Sequence, residues 1–90
     1  MTIRIAIKPD VLFQPLDDEA VLLHLPTERY FGLNSVGSRV WQLWAEGSTM
    51  EASIQQIVTE YEAPAEVVRQ DVADLIKELE ERELIKVEER

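Results

Sequence analysis

The sequence predicts an α+β fold, a winged helix-turn-helix arrangement in which a small antiparallel three-stranded sheet is followed by three helices. Three observations carry this. Residues 11–33 hold three short β-favouring runs separated by turn chemistry, and residues 35–82 hold three amphipathic stretches at helical spacing. A chain of 90 residues makes a single domain, and at that size it buries about 60–65% of its unfolded surface around one modest core. We place that domain over residues 1–90, with its core at about 11–85.

The strands come first. Val11-Leu12-Phe13-Gln14-Pro15 and Ala20 to Leu25 are joined by Asp17-Asp18-Glu19, a polar turn suited to a hairpin. Pro26-Thr27-Glu28 is again turn chemistry, so the third strand, Arg29 to Leu33, closes a second hairpin. Tyr30 and Phe31 point to opposite faces, Phe31 filling the core with Leu33 while Tyr30 is exposed. Ile3, Ile5 and Ile7 alternate as a candidate strand before Pro9, whereas Leu84, Ile85 and Val87 form an apolar tail too brief to assign.

Each helix has its own signal. Asn34 or Ser35 can cap the first, which carries Val36, Val40, Leu43 and Trp44 on one face and stops at Gly47. Trp41 and Trp44 read as core and rim packing rather than a ligand cage. Ser48 followed three residues later by Glu51 is a capping box for the second helix, whose apolar face is Met50, Ile54, Ile57, Val58 and Tyr61. Pro64 sits where a first-turn proline belongs, opening a third helix to about Arg82 with the stripe Val68, Val72, Leu75, Ile76 and Leu79. Glu78 and Arg82 are spaced as a favourable pair at its end.

Chemistry-bearing motifs are sparse. No cysteine is present, so disulfides, thiolate metal sites and cysteine nucleophiles are excluded. His24 is the single histidine, in a strand without a catalytic companion, and reads as structural or surface. There is no phosphate loop, no metal-ligand spacing and no triad, so we expect neither enzyme nor cofactor nor metal. No apolar run is long enough for a membrane span or a signal peptide, and the expectation is a soluble, cytoplasmic protein. The net charge of −9 repels nucleic acid and anionic membranes, so partners should be neutral or basic.

The pattern Tyr30-Phe31-Gly32-Leu33-Asn34 through Gly37, Val40-Trp41 in the helix, Gly47, the helix start near Glu51, and Leu79 with Arg82-Glu83-Leu84-Ile85 closely resemble the PqqD-like superfamily of peptide-recognition elements. The resemblance runs from about Val11 to Ile85 and is greatest to the stand-alone recognition proteins of lasso-peptide clusters. The chain departs from the usual pattern in carrying Glu83 where the family places Gly.

The resemblance implies a non-catalytic protein that binds the leader segment of a precursor peptide and delivers it to a separate leader peptidase and cyclase. In the lasso family the recognised leader residues are a Tyr, a Pro and a Leu. The residues allow this reading, because a strand at a sheet edge is a template for an incoming extended peptide. Arg29, Tyr30, Phe31, Gly32 and Leu33 would supply the ladder, and Val68, Arg69, Val72 and Ile76 the other wall. Asp71 and Asp74 would favour a leader with basic residues beside its apolar anchors.

Two rival readings are a winged-helix DNA-binding module and a dimerisation module. Residues 64–82 oppose the first, since they hold the acids Glu66, Asp71, Asp74, Glu78, Glu80 and Glu81 against the bases Arg69, Lys77 and Arg82. Edge pairing between two copies would use the same third strand, so the second shares its surface with peptide binding.

Overall fold

The computed structural model describes residues 2–89. Its elements are β1 (Ile3–Ile7), β2 (Val11–Leu16), β3 (Glu19–His24), β4 (Arg29–Leu33), α1 (Ser35–Ala45), α2 (Met50–Tyr61), α3 (Ala65–Glu81) and β5 (Ile85–Glu89). Strands β2, β3 and β4 form an antiparallel meander, in which Phe13 faces Leu22 and Leu22 faces Phe31. The three helices follow, giving the expected α+β architecture.

The apolar tail is a strand, and it completes a second sheet. β5 pairs antiparallel with β1, setting Ile7 against Ile85 and Ile5 against Val87. Ile5 and Ile85 belong to the same buried cluster as Leu22, Val40, Ile54, Ile57 and Leu79, and Ile3, Ile7 and Val87 pack against it, so packing extends beyond residues 11–85 at both ends. A five-residue strand has no stability alone. Its partner is the strand that the alternation of Ile3, Ile5 and Ile7 suggested, at the opposite end of the chain, and no local pattern announces the pairing.

Helix α1 starts as expected. The Asn34 side chain accepts a hydrogen bond from the Gly37 N–H at 2.8 Å. Gly37 fits this junction closely, because an added Cβ would lie 3.3 Å from both Asn34 Oδ1 and Leu33 Cδ2 and those side chains would have to shift by a few tenths of an ångström. The Leu-Asn-x-x-Gly spacing is thus the chemistry of a strand turning directly into a helix.

The start of α2 differs from the sequence expectation. Thr49, not Ser48, is the cap, its hydroxyl accepting from the Ala52 N–H at 3.1 Å. Ser48 is committed to the preceding helix: its N–H donates to the Leu43 carbonyl while that of Gly47 (φ 99°) donates to Trp44. This is the double bond pattern of a left-handed helix stop. Pro64 is likewise the extended residue before α3 rather than its first helical residue.

Two polar contacts serve the core. The Trp44 indole N–H, buried with its ring, donates to Ser53 Oγ at 3.1 Å, and Ser53 donates to the Met50 carbonyl at 2.7 Å. On the surface, Arg39 of α1 donates from Nε and Nη2 to the carboxylate of Glu60 on α2, at 2.9 Å each.

The end of α3 repeats the stop of α1 without glycine. Glu83 sits at φ 60°, its N–H donates to the Glu80 carbonyl, and the Leu84 N–H donates to Leu79, with both leucines buried. The turn is made, but a side chain occupies a backbone region that costs an L-residue about 1–2 kcal/mol. Glu83→Gly should therefore raise stability by about 1 kcal/mol, seen as a rise in Tm of about 4–8 °C on thermal unfolding.

The Arg39 hydrogen bonds, with a further one from Gln56, lower the Glu60 carboxyl from 4.5 to about 2. A carboxyl depressed by folding stabilises above its unfolded pKa and loses that contribution as pH falls through its folded value. Glu60→Gln should therefore narrow the stability difference between pH 5 and pH 2, measured by urea unfolding at each pH.

Candidate functional site

β4 is paired on one side only. It joins β3 from Leu33 opposite Ala20 to Arg29 opposite His24, and among the described residues no strand pairs its other side. Helix α3 packs against α2, α1 and β5, and stands across from this free edge. Between edge and helix runs a trough.

Its larger section is a cavity of about 410 Å³. Phe31, Leu33, Val36, Val40, Val72 and Leu75 supply its apolar lining, while Asp71, Asp74 and Glu78 bring carboxylates from α3. A second section of about 230 Å³ continues along β4, lined by Arg29, Tyr30 and Phe31 and, across from them, by Glu81, Arg82, Glu83 and Leu84. Phe31 belongs to both. Over its ring, 5.0 Å from the centroid, lies the Arg82 guanidinium. Arg82 thus makes a cation–π contact with Phe31 instead of pairing with Glu78, worth about 0.5–1 kcal/mol at an exposed site.

Helical geometry explains which side of α3 meets the trough. At about 100° per residue, Val68, Val72 and Leu79 define the buried direction, with Asp71, Leu75, Glu78 and Arg82 on one flank and Arg69 and Ile76 on the other. The first flank faces β4. On the second, Arg69 donates to Glu51 of α2 through both terminal nitrogens at 2.8 Å, lowering the Glu51 carboxyl below its ordinary value.

The expected site residues therefore divide. Arg29, Tyr30, Phe31, Gly32, Leu33, Asp71 and Val72 line the trough. Val68 is core, Arg69 is turned to α2, and Ile76 lines neither section. Asp74, singled out for its charge, does line it. The sequence reading assigned no wall role to Leu75, Glu78 and Arg82, although their spacing from Asp71 was the available signal. His24 is buried, with Nδ1 2.8 Å from the Thr27 hydroxyl in the turn before β4, and so is structural in its immediate contact. Tyr30 is 69% exposed, on the face of the sheet away from the core.

Comparison with known proteins decides the family. The family described as "Coenzyme PQQ synthesis protein D (PqqD)" matches residues 19–85, well over half of the chain. This chain belongs to the PqqD family. No curated protein matches it. Two solved structures resemble it over nearly its whole length. One, described as "TbiB1 in Complex with the TbiA(beta) Leader Peptide", is 41% identical with a TM-score of 0.84, covering 90% of this chain and 94% of that one. The other, "Lasso peptide synthetase B1 complexed with the leader peptide", is 23% identical with a TM-score of 0.82, covering 92% and 98%. At that lower identity the second likeness establishes the fold. No helix among the described residues of this PqqD-family chain is long and apolar enough to cross a membrane.

Because Arg69 bridges α2 and α3 on the flank away from β4, Arg69→Ala should leave any ligand affinity of the trough unchanged. Its effect should be a small fall in Tm that vanishes in high salt, which calorimetry at two salt concentrations alongside a peptide titration would register.

Proposed function

We propose that this protein captures the leader segment of a lasso-type precursor peptide by strand addition to β4 and, without catalysis of its own, presents it to a separate leader peptidase and cyclase. The observation that carries the reading is the free β4 edge beside an apolar-floored trough, in a chain 41% identical to a protein solved with a leader peptide. An extended peptide lying antiparallel to β4 would complete the ladder. Its alternate side chains would enter the trough toward Val72 and Leu75 while the others face solvent beside Tyr30.

The energetics are sufficient without a deep pocket. About four ladder hydrogen bonds at about 1 kcal/mol net each, with two or three buried side chains at about 1.5–3 kcal/mol, oppose an association cost of several kcal/mol. Micromolar to tens-of-nanomolar affinity follows. The carboxylates of Asp71, Asp74 and Glu78 favour a basic leader, and the same carboxylates on the exposed flank of α3 count against a role in reading DNA. A precursor is met where it is synthesised, so this reading places the protein in the cytoplasm.

The test uses the TbiA(beta) leader peptide, with which the 41% identical protein was solved, synthesised with a fluorescent label. Backbone N-methylation scanned along it should weaken binding about tenfold at alternate positions, where the N–H enters the ladder, and little between them. A response equal at every position, or none, would rule out strand addition.

A further inference from the structure

The two sections of the trough differ in charge. The larger holds Asp71, Asp74 and Glu78 with Asn34 and no basic residue, whereas the smaller holds Arg29 and Arg82 with Glu81 and Glu83. The arginines are unusual in this molecule. Arg4 donates to the Gly47 carbonyl, Arg39 to Glu60 and Arg69 to Glu51, yet the side chains of Arg29 and Arg82 form no hydrogen bond or ion pair among the described residues. They line the same cavity, and the glutamates beside them do not pair with them. The Arg82 guanidinium carbon lies over Phe31, 5.0 Å from the ring centroid, and with no carboxylate paired to it its N–H fork keeps hydrogen-bonding capacity for one.

We infer that the trough reads the order of charges along its peptide, taking a Lys or Arg beside Leu33 and a carboxylate side chain beside Arg29. This deepens, and rests on, the leader-binding reading. A free strand edge accepts an extended chain in either direction, so the backbone ladder alone does not fix polarity. Opposite charges at the two ends do. With the peptide antiparallel to β4, its earlier residues lie beside Leu33 and its later ones beside Arg29, so the base precedes the acid in sequence. Asp71 and Arg82 are eleven residues apart on or just beyond α3, about 16 Å along its axis, which an extended peptide covers in about five residues. Only side chains an even number of positions apart enter the trough together, so the recognised segment is a base and an acid about four or six residues apart, with apolar anchors and spacers between them. Net charge cannot produce this preference, because steering by the −9 field depends on the composition of the peptide and not on its order.

The probe is the same leader, end-capped, in two isomers of identical composition: one with Lys before the apolar anchors and Glu after them, the other with the two exchanged. Each exposed charge contact changes affinity about two- to fivefold. The Lys-first isomer should therefore bind about five- to twentyfold tighter at low salt, with the difference collapsing in 0.5 M salt as screening shortens to a few ångströms, about the length of the contact itself. The double variant Arg29→Glu, Arg82→Glu, both residues being exposed, should erase the preference for Glu at the later position, with circular dichroism verifying the fold. Equal binding of the isomers, or a preference that survives the double variant, overturns charge reading and leaves leader binding intact. Failure of either isomer and of the unmodified leader to bind overturns both.

Discussion

The apolar stripe of α3 is the constraint on which the rest of the molecule depends. Val68, Val72 and Leu79 are buried toward α1, α2 and β5, so the helix is held firmly on the sides away from β4. A helix that packed its full flank onto β4 would close the trough. Here that flank carries Asp71, Asp74 and Glu78, which have no reason to leave water for the apolar floor beneath them. Charge on one flank and hydrophobic burial on the other thus keep a strand edge and a helix apart within one small core.

The second sheet makes that placement possible. β5 follows α3 through the turn at Glu83 and is secured by β1, so the C-terminal end of the helix is tied to the N-terminal segment of the chain. Across the trough itself the Arg82 guanidinium over Phe31 supplies a contact that can yield, being a cation–π pair at the surface rather than part of the buried cluster.

Local chemistry made much of this legible in the sequence. The meander was readable because its turns carry Asp17-Asp18 and Pro26-Thr27, and the strand-to-helix junction because Asn34 and Gly37 are three residues apart. The β1–β5 pair was not, since each strand lacks meaning without a partner about eighty residues away. Ser48 misled because two adjacent hydroxyls compete for one cap, and the preceding helix stop claims the backbone of the first. The site was half readable for a related reason. Periodicity identified the buried stripe of α3 and both of its flanks, but which flank faces β4 is set by where α2 lies. Arg69 and Ile76 lie on the flank away from the trough.

The pairing of β1 with β5 gives the molecule an uneven mechanical character. Ile3 lies opposite Glu89 at the outer end of that pair, so tension applied through the two chain ends would peel it rung by rung, each step opposed by a single pair of hydrogen bonds. A strand lying along β4 and pulled along its own axis would instead load every rung at once, in shear. The domain is weak along the line through its ends, whereas a strand added to β4 would be held strongly along the line of its groove.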